Sequence, residues 1–131
     1  MISREDLEQF IAQLEREGVQ SREVQPGLWV LTTMPDAPEV VVHYNPPVVV
    51  MRVKVLQLGP GNKREELYRH LLELNASDLV HGSYGIDGDS VLLSDALELE
   101  NLDYTEFLAS YDSMTLALAS HLATLAAYRQ A

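Results

Sequence analysis

Four histidines, His43, His70, His81 and His121, are the residues best suited to metal ligation or proton transfer, and no cysteine joins them. No two histidines stand three or four residues apart, and no Glu-x-x-His motif occurs. Ligands presented from one helix face need such spacing. A metal centre would have to be assembled from distant parts of the chain, so surface or internally satisfied histidines are expected. Ser83, Ser90 and Ser94 lie near His81, but none sits in the Gly-x-Ser-x-Gly turn that exposes a nucleophile. The pairs Asp87/Asp89 and Glu98/Glu100 have the composition of general acid–base pairs. The first falls in a turn and the second in an acidic connecting segment, where solvated charge is the simpler reading. Asp87-Gly88-Asp89-Ser90 starts like a calcium loop, but Val91-Leu92-Leu93 reads as strand where further oxygen ligands are needed. Gly59-Pro60-Gly61-Asn62-Lys63 precedes a helix, the setting in which phosphate binds. It lacks the Gly-Lys-Ser/Thr ending, and Pro60 removes an N–H donor. The expectation is no enzyme, no cofactor and no metal.

The elements that would position these residues are well marked. Ser3 caps a first helix with Asp6 three residues on. Leu7, Phe10, Ile11 and Leu14 share one face, and Gly18 can take the left-handed conformation after the last turn. Three strand-like runs follow, at 28–33, 39–44 and 48–58, rich in Val, Thr and aromatic residues. The proline-bearing turns at 35–38 and 45–47 argue for an antiparallel meander. In the third run Val49, Met51, Val53 and Val55 alternate with Val50, Arg52, Lys54 and Leu56. One face is therefore wholly apolar, which suits a sheet buried on one side under helices. Asn62 with Glu65 signals the cap of a second helix over 63–75, with Leu67, Leu71 and Leu74 on one face. Strands at 82–86 and 90–94 flank a hairpin turn at Asp87-Gly88-Asp89.

Asp103 with Glu106 opens a last helix that reaches toward Tyr128. Its predicted stripe is Tyr104, Leu108, Tyr111, Thr115, Leu118, Leu122 and Leu125, and an alanine-rich second face offers a dimer surface. Trp29, Tyr84, Tyr104 and Tyr111 are expected in the core. The predicted class is α+β: a five-stranded antiparallel sheet flanked by helices, in the order α-β-β-β-α-β-β-α. Residues 1–131 read as a single domain, which is enough chain for a core without staples.

The net charge of −11 is unevenly placed, because no Lys or Arg occurs between Ala76 and Tyr128. Such a half repels phosphate backbones and anionic lipid, which argues against nucleic acid and membrane partners. A basic protein is its electrostatic complement. The amino-terminal run Met1-Ile2-Ser3-Arg4-Glu5-Asp6 has acids where a signal peptide would be apolar, and no apolar run would span a bilayer. With no cysteine, a cytoplasmic location is expected.

A helix ending Leu71-Leu72-Glu73-Leu74-Asn75, then Gly82-Ser83-Tyr84-Gly85-Ile86-Asp87, then Val91-Leu92-Leu93, resembles the type III secretion chaperone-like superfamily. The match is closest to its YbjN-like and YjfI-like branches. The run from Glu98 to Leu108 is similar to the acidic approach to the last helix in that group. The resemblance implies a chaperone-like, often dimeric protein that binds peptide segments of other proteins, or a stress-linked regulator.

The partner would meet the sheet, by strand addition or through side-chain pockets. The residues to watch are Val48, Val50, Arg52 and Lys54 on the mixed face of the third strand. The acidic residues Glu98, Glu100, Asp103 and Glu106 are a second candidate surface. Two rival readings are a ligand-binding, metal-binding or enzymatic site assembled across the fold, and a structural subunit held by its last helix.

Overall fold

The first capping signal acts as the sequence predicts. In a computed structural model, which describes residues 1–60 and 63–128, helix α1 spans Arg4–Arg16. The Ser3 hydroxyl accepts from the Asp6 backbone N–H, and the Asp6 carboxylate accepts from Ser3 N–H. At the other end Gly18 has φ +102. Its N–H donates to Glu15 O, and Val19 N–H donates to Leu14 O. That double closure satisfies the last carbonyls and turns Val19 back into the core beside Leu14.

Six strands follow rather than five. Strand β1 (Gln20–Gln25) turns at Pro26-Gly27 into β2 (Leu28–Thr32), and then come β3 (Val40–Asn45) and β4 (Val48–Gln57). Helix α2 (Arg64–Ser77) crosses to β5 (Ser83–Asp87), which turns at Gly88-Asp89 into β6 (Ser90–Glu98). Helix α3 (Tyr104–Leu125) ends in a 3-10 turn, Ala126–Tyr128. The observed order is α-β-β-β-β-α-β-β-α. The unpredicted strand, Gln-Ser-Arg-Glu-Val-Gln, is an edge strand with five of its six residues exposed. It buries no face, so it shows no apolar alternation. Gly27, at φ +80, supplies the left-handed turn position that joins it to β2.

All neighbours in the sheet are antiparallel, in the order β1-β2-β3-β4-β6-β5. One core cluster joins Leu7, Ile11 and Leu14 of α1, Leu67 and Leu71 of α2, and Phe107, Met114, Leu118 and Leu125 of α3 to one face of the sheet. Trp29, Leu31, Val42, Val49, Met51 and Leu93 form that face. A bulge between Lys54 and Leu56 corrects the predicted alternation in β4. The extra residue swings Leu56 onto the helix-covered face opposite Val91, so it leaves the mixed face.

The caps of α2 and α3 differ. Gly61 and Asn62, and with them the predicted Asn62 cap and part of the candidate phosphate loop, lie outside the described residues. Lys63 stands at the N-cap of α2 and makes no side-chain capping bond. For α3 the predicted box is present: Asp103 accepts from Glu106 N–H at 2.8 Å, and Glu106 accepts from Asp103 N–H at 3.1 Å.

The buried stripe of α3 is rotated from the predicted one. It runs through Phe107, Ser110, Tyr111, Met114, Leu118, His121 and Leu125, with Tyr104, Leu108, Thr115 and Leu122 at its margins. Leu and Ala surround this helix, so apolarity alone leaves its phase open. Two buried polar residues, Ser110 and His121, decide it.

Candidate functional site

Val48, Val50, Arg52 and Lys54 all stand on the face of the sheet that carries no helix. Their cross-strand partners on β6 are Glu98, Ala96, Ser94 and Leu92, in that order. On the other side Arg52 faces Val41, and Val50 faces His43. Beyond these lie Val30 and Leu28. Val30 is 9% exposed yet belongs to no part of the helix-covered core. A patch of half-covered valines and a leucine therefore lies open on this face. Arg52 and Lys54 project from the patch, and among the described residues neither forms an ion pair. Cations standing over apolar surface can take an acidic or a plain apolar segment without a competing internal partner.

The second predicted surface divides. Glu98 sits on the open face opposite Val48. Glu100 is exposed and holds the amino terminus at 3.1 Å. Asp103 and Glu106 are exposed but occupied by the α3 capping box. Replacing Asp103 with alanine would remove a cap worth about 1 kcal/mol, so those two residues serve the fold first.

Three of the four histidines stand apart from one another in the fold. His43 is exposed on β3, and His70 lies beside the Tyr128 ring with centroids 6.4 Å apart. His81 approaches Asp95 at 3.9 Å. The same Asp95 oxygen accepts from the buried Ser110 hydroxyl at 2.6 Å. That order puts a carboxylate rather than an imidazole on the hydroxyl, and the bond ties β6 to α3. Among the described residues no group of three His, Asp or Glu side chains is arranged to hold a metal ion.

His121 is the residue whose long-range partners the sequence did not show. It is buried on α3, with Nδ1 2.7 Å from the Tyr84 hydroxyl and Nε2 2.9 Å from Asp78 Oδ2. The carboxylate can only accept, so Nε2 carries a proton, and in the neutral ring Nδ1 accepts from Tyr84. Both nitrogens are engaged, and the ring is not free to act as a base. Burial, followed by the Asp78 charge, pushes the Tyr84 phenol up to about 12. The network locks the end of α2 and strand β5 to α3.

Asn75 completes that lock. Its Oδ1 accepts from Tyr84 N–H at 2.7 Å, and its amide donates to Tyr84 O at 3.2 Å. Tyr84 pairs with Leu93 on β6, and its outward backbone groups are the ones a further strand would use. At Tyr84 one side chain therefore occupies the β5 edge as a neighbouring strand would. Asn75→Ala should cost about 1–3 kcal/mol, the loss expected for two unmet backbone groups. It should also give concentration-dependent association in sedimentation. Unchanged urea unfolding with a strictly constant mass would exclude this capping role.

An apolar hollow of about 460 Å³ lies on the helix side, between the loop over residues 33–38 and α3. Met34, Pro35, Tyr111, Leu118, Ala119 and Leu122 are among its walls. The sequence showed the loop and the helix as separate features, and no local signal joins them. On the outer side of α3, Leu116 is 69% exposed. Ala123, Ala126 and Ala127 are exposed as well, so the alanine-rich face stays uncovered.

An antiparallel sheet with three helices on one side, and an open face bearing apolar and unpaired cationic residues, defines an α+β protein of the secretion-chaperone fold. The family model CesT_Tir_1 matches residues 2–131, and the chain belongs to this type III secretion chaperone family. Among curated proteins none matches. Several solved structures share the fold. One is the heterodimeric ExoU–SpcU complex from the type III secretion system of Pseudomonas aeruginosa, with 15% identity, a TM-score of 0.65, and 87% of this chain and 93% of that chain covered. The Yersinia pestis secretion chaperone SycH, in complex with a stable fragment of YscM2, has 20% identity and a TM-score of 0.58, over 89% of this chain and 97% of that one. YbjN from E. coli has 13% identity and a TM-score of 0.64, over 95% and 96%.

Proposed function

We propose that this chain is a non-enzymatic protein-binding module, a chaperone-like adaptor or stress-linked regulator of the bacterial cytoplasm. It holds an extended segment of another protein against the open face of its sheet. The observation that carries this reading is the valine patch around Val48 and Val50, with the unpaired cations Arg52 and Lys54 above it. Family membership supports it, as do the similar structures in which SycH holds a fragment of YscM2 and SpcU stands with ExoU. Among the described residues no helix is long and apolar enough to cross a membrane, which agrees with this location. Pairing with a second copy would use the exposed stripe of Leu116 and Ala123 on α3 and Ala127 in the 3-10 turn that follows it. Small residues there let another backbone approach closely.

The test is crosslinking capture from a bacterial lysate with the full chain and with Val50→Glu/Arg52→Glu. Both positions are only partly covered, so the variant should unfold at the same urea concentration as the parent. One protein enriched by the parent and lost by the variant is the expected result. Equal capture by both, or recovery of nothing beyond the chain itself, would sink the assignment. Glu98→Gln/Glu100→Gln serves as the acidic-surface comparison, because it leaves the α3 cap intact.

A further inference from the structure

The hollow between the 33–38 loop and α3 lies on the opposite side of the sheet from the valine patch. Its walls combine buried ring and aliphatic surface from Tyr111 and Leu118 with Met34, which is 63% exposed at the rim. Methionine at a rim adapts to different apolar shapes. At about 460 Å³ the hollow has the size of pockets that hold ligands in other proteins. It is not an isolated cup. Thr33, Met34, Pro35 and Ala37 also border a second hollow of about 470 Å³, which reaches Gln20 and Glu39 at the sheet edge. The two hollows share these loop residues as walls and so lie side by side along the loop, and a segment that occupies both would follow an extended track.

The first hollow carries charge of one sign. The segments that wall the first hollow, the loop over residues 33–38, β3 and α3, contain no Lys or Arg. Asp36 lines the hollow and Asp112 follows Tyr111 on α3. Both are exposed, and among the described residues neither forms an ion pair. Glu39, in the second hollow, reaches Arg22 only at 3.9 Å. An acidic segment would meet uncompensated carboxylates here, whereas a basic one would pair with them.

We infer that this track is a second docking site, which takes an extended partner segment carrying one large apolar side chain with Lys or Arg beside it. The apolar side chain fills the hollow against Tyr111, Leu118 and Ala119, and the cation lies along Asp36 toward Glu39. The inference rests on the protein-binding reading above but uses a different surface and the opposite charge preference from the Arg52/Lys54 face.

The test is fluorescence anisotropy of the full chain with short labelled Gly/Ser peptides that carry Phe followed by two lysines, Phe followed by two glutamates, or Ala followed by two lysines. The Phe–Lys peptide should bind about tenfold more tightly than either of the others. Ala119→Trp, at an exposed position that walls the hollow, should abolish that binding, and Asp36→Lys should erase the Lys-over-Glu preference. Circular dichroism shows that both variants are folded. Val50→Glu/Arg52→Glu should leave this binding unchanged, which separates the site from the open sheet face. The inference is overturned if the three peptides bind alike, or if Ala119→Trp binds as the parent does. It is also overturned if Ala119→Trp converts a dimer to a monomer while no peptide binds the parent, because the hollow is then an interface between copies.

Discussion

Replacing Phe107 with alanine should lower the unfolding free energy by about 3–5 kcal/mol. Phe107 is fully buried on α3, where its ring lies 5.7 Å from that of Phe10. Phe10 in turn meets Tyr104 edge-on at 5.9 Å. These rings join the first and last helices over the sheet, so truncation removes transfer free energy, leaves a cavity and breaks an aromatic pair. Leu116→Ala on the same helix should change stability by less than about 0.5 kcal/mol, because its side chain is mostly in water. Urea unfolding of the two variants measures the difference. Similar losses would mean that the helix is packed in another rotation.

His121→Ala should be nearly as damaging, at about 2–4 kcal/mol. It empties the space of a buried ring and leaves the Tyr84 hydroxyl without its acceptor. The same network sets the response to alkali. Tyr84 is held protonated up to about 12 in the folded chain, against about 10 in an unfolded one. As pH rises the unfolded state releases its proton first, so stability falls. The contribution is fully present below about pH 10 and is lost by about pH 12, with an upper limit of about 2–3 kcal/mol. Tyr111 and Tyr104 are raised in the same direction, mainly by burial. The comparison that isolates Tyr84 is therefore Tyr84→Phe against the parent, from pH 9 to 12. Parallel curves would show that its proton plays no part.

What was legible in the sequence follows from where each signal is stored. Ser3/Asp6, Gly18, Asp103/Glu106 and Gly88 act through bonds to residues a few positions away, and each stands as local spacing predicts. Trp29, Val49, Met51 and Val53 are buried because alternation in a half-covered strand is local too. Strand β1 escaped because an exposed edge strand shows no such alternation. The β4 bulge escaped because an extra residue is invisible until the partner strand is in place. The phase of α3 escaped because Ser110 and His121 are buried only by virtue of Asp95, Tyr84 and Asp78, all distant in the chain. Of the candidate site, the open-face residues of β4 were readable from their alternation. The hollow beside α3 was not, because its two walls are some seventy positions apart.

The Asn75 bridge to Tyr84 also governs how copies of this chain could line up. Open-ended fibres built by joining sheets need two usable edges on each molecule, one to give and one to receive. Here one edge is occupied from within at Tyr84, and β1 at the far side of the sheet is the edge left for pairing. Edge-to-edge growth thus ends when two β1 strands meet. The molecule can accept one added strand, from a partner or from its twin, without seeding a polymer.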